Sequence, residues 1–136
     1  MTFVQDANAI QAIFAQRAGS LPNAPVIIYE NAPGSAPPLD APWIRFAVRP
    51  LAERQAAFTQ PGQTRHIRLG RVEIQIFVPR GTGTAALEGL TEAVASIWRG
   101  ASTGEIRFRG IDVFNIDEER YLARRLSILY ETSRYV

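Results

Sequence analysis

Residues 77–86, Phe-Val-Pro-Arg-Gly-Thr-Gly-Thr-Ala-Ala, place two glycines between an apolar run and a helix-like pattern. Gly81, Gly83 and Ala86 fit the G-x-G-x-x-G/A spelling, in which glycines let a backbone approach a pyrophosphate at the start of a helix. Such a site needs the turn inside a parallel β-α-β unit, whose strands are buried on both faces and written as continuous apolar runs. Here the preceding segment alternates, with Arg71, Glu73 and Gln75 between Val72, Ile74 and Ile76. Glu105 stands at about the distance of a ribose-binding acid, yet it too opens an alternating segment. The chain has no lysine, which excludes a G-x-x-x-x-G-K-[ST] phosphate loop. The expected work of the loop is structural: Gly81 and Gly83 turn the chain, and Thr82 or Thr84 caps the helix. A nucleotide-binding enzyme using Gly81 and Gly83 stays as a distant alternative.

The other reactive side chains give no convergent site. There is no cysteine, which excludes disulfides, thiolate zinc sites and cysteine nucleophiles. The single histidine, His66, would have to serve any Ser-His-Asp triad; beside Arg65 in a strand-like segment, it is expected on the surface. Asp112, Asp117, Glu118 and Glu119 would be the carboxylates of a metal cluster, but three are consecutive, which suits a solvated turn. No catalytic residue, metal or cofactor is expected, and the chain is not expected to be an enzyme. All fifteen basic residues are arginine, and the net charge is only +2. Codon bias in a GC-rich genome gives such a composition without any functional reason. Guanidinium forks also suit subunit interfaces. The Arg107/Arg109 and Arg124/Arg125 pairs fit an exposed sheet face or interface as well as DNA phosphates.

The elements that must position these residues follow from hydrophobic period. With 136 residues and 46% hydrophobic content, one domain over 1–136 with one core is expected. No apolar run approaches 18 residues, and the N-terminus lacks a basic region, so neither a membrane helix nor a signal peptide is expected. Val4, Ala7, Ile10, Ile13, Phe14 and Arg17 mark a first helix. Residues 26–30 form a short strand, and the proline-rich 31–42 segment a loop. Trp43–Arg49 alternate as a strand. Residues 50–64 break the alternation, as a long hairpin tip or an extended loop or arm. In 65–79 the apolar residues switch from odd positions (Ile67, Leu69) to even ones (Val72 onward), which predicts a β-bulge at Gly70-Arg71. Leu87, Leu90, Val94, Ile97 and Trp98 mark a second helix over 84–99, stopped by Gly100. Segments 105–109, 111–116 and 121–131 complete the strands. The expected fold is α+β in the order α-β-β-β-α-β-β, a single mostly antiparallel sheet with two helices packed on one face.

Three stretches also resemble a known family. They are APWIRFAVRP at 41–50, RLGRVEIQIFVPRGTGTAALEGLTEAVASIWRG at 68–100 and GEIRFRG at 104–110. In that order they are similar to the tail terminator-like family of long-tailed phages and gene transfer agents. The resemblance implies a structural virion protein of the tail neck, assembled in the bacterial host cytoplasm. It implies a homo-oligomeric ring, a hexamer, that caps the tail tube, stops its polymerisation and joins it to the head-side connector or stopper. DNA would pass through the lumen without specific binding. Another neck component, a tail-completion or head-closure protein, is the close alternative. A closed ring needs two different complementary faces. Exposed Trp43, Phe58 or Phe77 beside arginines would suit them, and Arg54, Phe58 and Trp43 are the expected interface residues, with 50–64 as the reaching arm.

Overall fold

The computed structural model describes residues 2–30, 37–38, 40–60, 63–81 and 83–135; the side chains of 56–60, 63 and 134–135 lie outside that description. Helix α1 spans Phe3–Ala18 and α2 spans Thr84–Arg99. A capping box starts α1: the Thr2 hydroxyl accepts from the Gln5 amide, and the Gln5 side chain accepts from the Thr2 amide. Its buried stripe is Asp6, Ile10 and Phe14, each four residues from the next. Val4, which its apolar character placed in the stripe, is exposed, and a carboxylate faces inward instead. In α2 the stripe is as expected: Leu87, Leu90, Val94, Ile97 and Trp98 are buried, while Glu88, Glu92, Ser96 and Arg99 face out. The threonine cap is not formed. Gly83, at φ 86°, is the N-cap without a side-chain bond, Thr84 is already helical, and Thr82 lies outside the described residues.

Strands β1 (Val26–Tyr29), β2 (Trp43–Gln60), β3 (Gln63–Pro79), β4 (Ile106–Ile116) and β5 (Tyr121–Tyr135) form one sheet in the order β1-β2-β3-β5-β4. β1 is parallel to β2, and the other pairs are antiparallel. The fold is α+β with the expected element order. Because β5 lies between β3 and β4, those two strands run the same way, and α2 crosses between them as in a split β-α-β unit. Both helices cover one face. Phe14 of α1 stacks on Phe46 of β2 at 4.8 Å between ring centroids, and Trp98 of α2 meets Phe108 of β4 edge-on at 5.0 Å. Ile44, Ile74, Ile76, Leu126 and Ile128 fill the layer between. Full burial of such side chains contributes about 1.5–3 kcal/mol each.

No bulge interrupts β3. Its even residues, from Arg68 through Gly70 to Val78, are buried without a break, and its pairing with β5 has no register shift. The apparent slip in phase arises because two core positions hold an arginine and a glycine. At Gly70 the reason is steric: a Cβ there would lie 2.3 Å from Cζ of Tyr130. The bulge is instead on β2, where Leu51 is the extra residue opposite Gly70, followed by further register shifts at Ala56 and Thr59. Three one-residue insertions each reverse the in/out phase, so no alternation survives in the sequence. Of the two readings of 50–64, the hairpin is formed and the loop or arm is not. These residues belong to the distal half of a β2–β3 hairpin, strand as far as Gln60 and again from Gln63, with 61–62 outside the described residues. In β4 the two short runs are one strand, broken by a bulge at Gly110.

Candidate assembly surface

The face of the sheet opposite the helices carries the odd residues of β2 before its first bulge and of β3 and β5. At one end, Trp43 stacks on Phe77 with centroids 4.0 Å apart and planes 7° from parallel. Tyr121 stands edge-on to both rings and donates its hydroxyl proton to the Pro38 carbonyl at 2.6 Å. The Arg45 guanidinium lies over the Trp43 ring at 5.4 Å. This corner is a second small core, closed by Ala123 and flanked by Ile28 and Ile116. Trp43 is only 4% exposed and Phe77 is buried too, so neither is the exposed aromatic expected at an interface. They had the period of an uncovered face, but their large rings bury one another.

The rest of that face is arginine interleaved with carboxylate. Arg49 pairs with Glu30 at 2.6 Å, Arg71 with Asp112 at 3.3 Å and Arg109 with Glu131 at 3.4 Å. Arg71 also donates to Ser127, Arg65 to Ser133, and Arg125 covers the Phe114 ring. Exposed pairs of this kind contribute about 0–1 kcal/mol each. Their number therefore does little for the fold, and it leaves a polar, fork-rich sheet surface that no helix covers. Asp112, on β4, is engaged by Arg71 of β3, whereas the consecutive acids 117–119 follow the end of β4. His66 sits half-buried on β3, paired in register with Gln55 and Arg134.

The hairpin extends past the ends of β1 and β4 with β5 beside it. Arg54 is exposed and pairs in register with Ile67; Phe58 pairs with Thr64, and its side chain lies outside the described residues. β5 accompanies the hairpin as far as Arg65 opposite Tyr135. The five steps along β3 from Gln63 to Arg68 extend about 17 Å at the usual rise. Arg54 and Trp43 are thus not one patch: one is on the hairpin, the other in the aromatic corner at the opposite end of the strand.

Under the root of the hairpin lies a feature that residue types concealed. Arg68 donates from Nε to Asp6 Oδ2 at 2.6 Å and from a terminal nitrogen to Oδ1 at 3.0 Å. Thr132 donates to Asp6 at 3.3 Å, Glu53 approaches Arg68 at 3.6 Å, and the Phe3 ring covers the guanidinium. Asp6 is fully buried and Arg68 nearly so. The hydrogen bond to Asp6 raises the Arg68 pKa further, against the opposing effect of burial. The pair ties the first turn of α1 to the three strands that continue into the hairpin. The signal was present: Asp6 precedes Ile10 and Phe14 by four and eight residues, and Arg68 keeps the even phase of Val72 and Ile74.

The glycine loop closes a corner. The Arg80 amide donates to the Arg120 carbonyl, and its guanidinium donates to the Glu118 carbonyl at 2.6 Å, which ties the loop to the β4–β5 turn. Gly81 and Gly83 take φ of 98° and 86°, where glycine is at ease. Both neighbours of β3 in the sheet are antiparallel to it. The adjacent parallel strands of a dinucleotide turn are therefore not formed.

No family model matches the chain, and no curated protein matches it. One solved structure, of a protein whose name says nothing of its activity, matches 92% of this chain and 94% of its own with a TM-score of 0.63 at 21% identity. At that identity the likeness concerns the fold, which is shared over nearly the whole of both chains. Among the described residues no helix is long and apolar enough to cross a membrane.

Proposed function

We propose that this protein is a structural assembly subunit, a tail terminator that forms a ring on the tail tube, ends its growth and offers a surface to the head-side connector. The observation that carries this reading is the long β2–β3 hairpin, which with β5 beside it extends past the ends of β1 and β4, in a sheet whose outer face is arginine-rich and covered by neither helix. The family resemblance of 41–50, 68–100 and 104–110 supplies the partners: copies of itself, the tube protein and the connector. The end of the hairpin takes the part of the reaching arm, with Arg54 as an exposed anchor on it.

The test is to replace residues 55–66 by Asn-Gly, which joins the paired Arg54 and Ile67 through a two-residue turn. The shortened domain is expected to keep its circular dichroism and its cooperative melt. In the parent element it is expected to give tubes of uncontrolled length or tails without heads. Normal particles from the shortened protein would sink the arm assignment. Leaking heads with tubes of normal length would favour a head-closure protein instead.

A further inference from the structure

Both lateral edges of the sheet are open. On one side β4, Ile106–Ile116, pairs with β5 alone, so its outer N–H and C=O groups have no strand partner among the described residues. On the other side β1 covers β2 only from Trp43 to Phe46, and beyond Phe46 no described strand pairs with its outer edge. Each edge bears exposed apolar side chains: Val113 (53%) and Phe114 (44%) on β4, and Leu51 (58%) at the first bulge of β2. Beside β4 a cleft of about 390 Å³ opens against the end of α2, lined by Trp98, Phe108, Ile111 and Ile128. Trp98 Nε1, buried in this region, has no acceptor among the described residues.

An unpaired strand edge with exposed apolar residues is a template for another strand, and backbone hydrogen bonding makes a strand the fitting occupant. We infer that the β4 edge over Ile111–Ile116 receives the outer β2 edge around Leu51 of a second copy of this chain, continuing the sheet from subunit to subunit. Two features select this occupant. The edges are unlike, so a head-to-tail contact uses both, and closure leaves neither open. The edges also match in direction: β2 and β4 are antiparallel across the sheet order, so copies related by rotation about an axis along the strands meet antiparallel. The bulge at Gly110 bounds the paired stretch on β4, and the bulge at Leu51 lies within the stretch on β2. The inference deepens the ring reading above and rests on it.

The absence of native cysteine makes the test direct. Leu51→Cys and Val113→Cys proteins, both altered at exposed positions, are mixed and treated with a short bis-maleimide. A crosslink between the two variants is expected, and none between Val113→Cys and Ser96→Cys on the outer side of α2. Val113→Lys with Phe114→Lys is expected to reduce the assembly to the 15.1 kDa monomer by light scattering, with unchanged circular dichroism. A Val113→Cys self-crosslink, assembly without the mixed crosslink, or a wild-type protein that is monomeric at every concentration overturns the inference. Rings without the mixed crosslink would leave the terminator reading standing. Mixed crosslinks in a protein whose deletion leaves tail length normal would do the reverse.

Discussion

Removing the charge of Asp6 is the sharpest perturbation of this fold. In Asp6→Asn the side chain keeps its shape, but Arg68 is left buried beside a neutral partner, with only Glu53 at 3.6 Å to answer it. Breaking a buried pair by removing one member costs about 3–5 kcal/mol, because the remaining charge is stranded. Domains of this kind hold about 5–15 kcal/mol in total, so the loss is a large share. With about 2.1 cal/mol/K of unfolding entropy per residue, a chain of 136 residues loses about 10–17 °C in Tm for that cost. Exposed Arg49, paired to Glu30, is the control, and Arg49→Ala is expected to cost about 1 kcal/mol or less. The decisive variant is Asp6→Leu with Arg68→Met and Thr132→Val. Apolar groups of similar volume avoid the desolvation of the ions, so this triple variant is expected within about 2 kcal/mol of the wild type. The assay is urea unfolding at pH 7 followed by circular dichroism, with a constant m-value as the check on two-state behaviour. An Asp6→Asn cost below about 1 kcal/mol, or a triple variant as unstable as the summed single changes, would refute the reasoning that a stranded charge dominates.

Three further outcomes are expected. Gly70→Ala puts a Cβ 2.3 Å from the Tyr130 ring and is expected to lower stability by about 1–3 kcal/mol in urea melts, with Tyr130→Leu in the same chain recovering part of it; additive losses would argue against the clash. Burial, then the charge of Asp6, raises the Tyr130 phenol above its usual 10.0, so the folded state keeps a proton that the unfolded chain releases. Its contribution is full below about pH 10 and falls as the pH rises from there, so urea midpoints should decline as the pH is raised above about 10. Tyr130→Phe is expected to flatten that decline, leaving the share of Tyr29, which burial raises likewise; an unchanged slope contradicts the assignment. Gly83→Ala, at φ 86°, is expected to cost about 1–2 kcal/mol, and NAD or ATP to leave the wild-type Tm unmoved in a thermal-shift screen. Nucleotide stabilisation that Gly83→Val abolishes would revive the dinucleotide reading.

The sequence by itself determined the elements whose period is clean. Helix α2 has the bounds its stripe implies, and the order of helices and strands follows from alternation and from glycine and proline stops. The split of polar and apolar residues over Trp43–Arg49 and in β3 also identified a sheet with one helix-covered face. What failed had a common cause. Alternation assigns a face only while one residue advances each strand by one step, and the bulges at Leu51, Ala56 and Thr59 break that rule three times in ten residues. Alternation thus gave no means of choosing the hairpin over a loop or arm for 50–64. Residue type assigns burial only while no partner is available, and Asp6 with Arg68 supplies the partner from 62 residues away. Trp43 and Phe77 sat correctly in phase on the outer face, yet they are covered because their rings meet across neighbouring strands and Tyr121 closes over them. Local periods are written in the chain. Which inward positions accept a charge, and which outward positions are buried, depends on neighbours that only the folded sheet brings together.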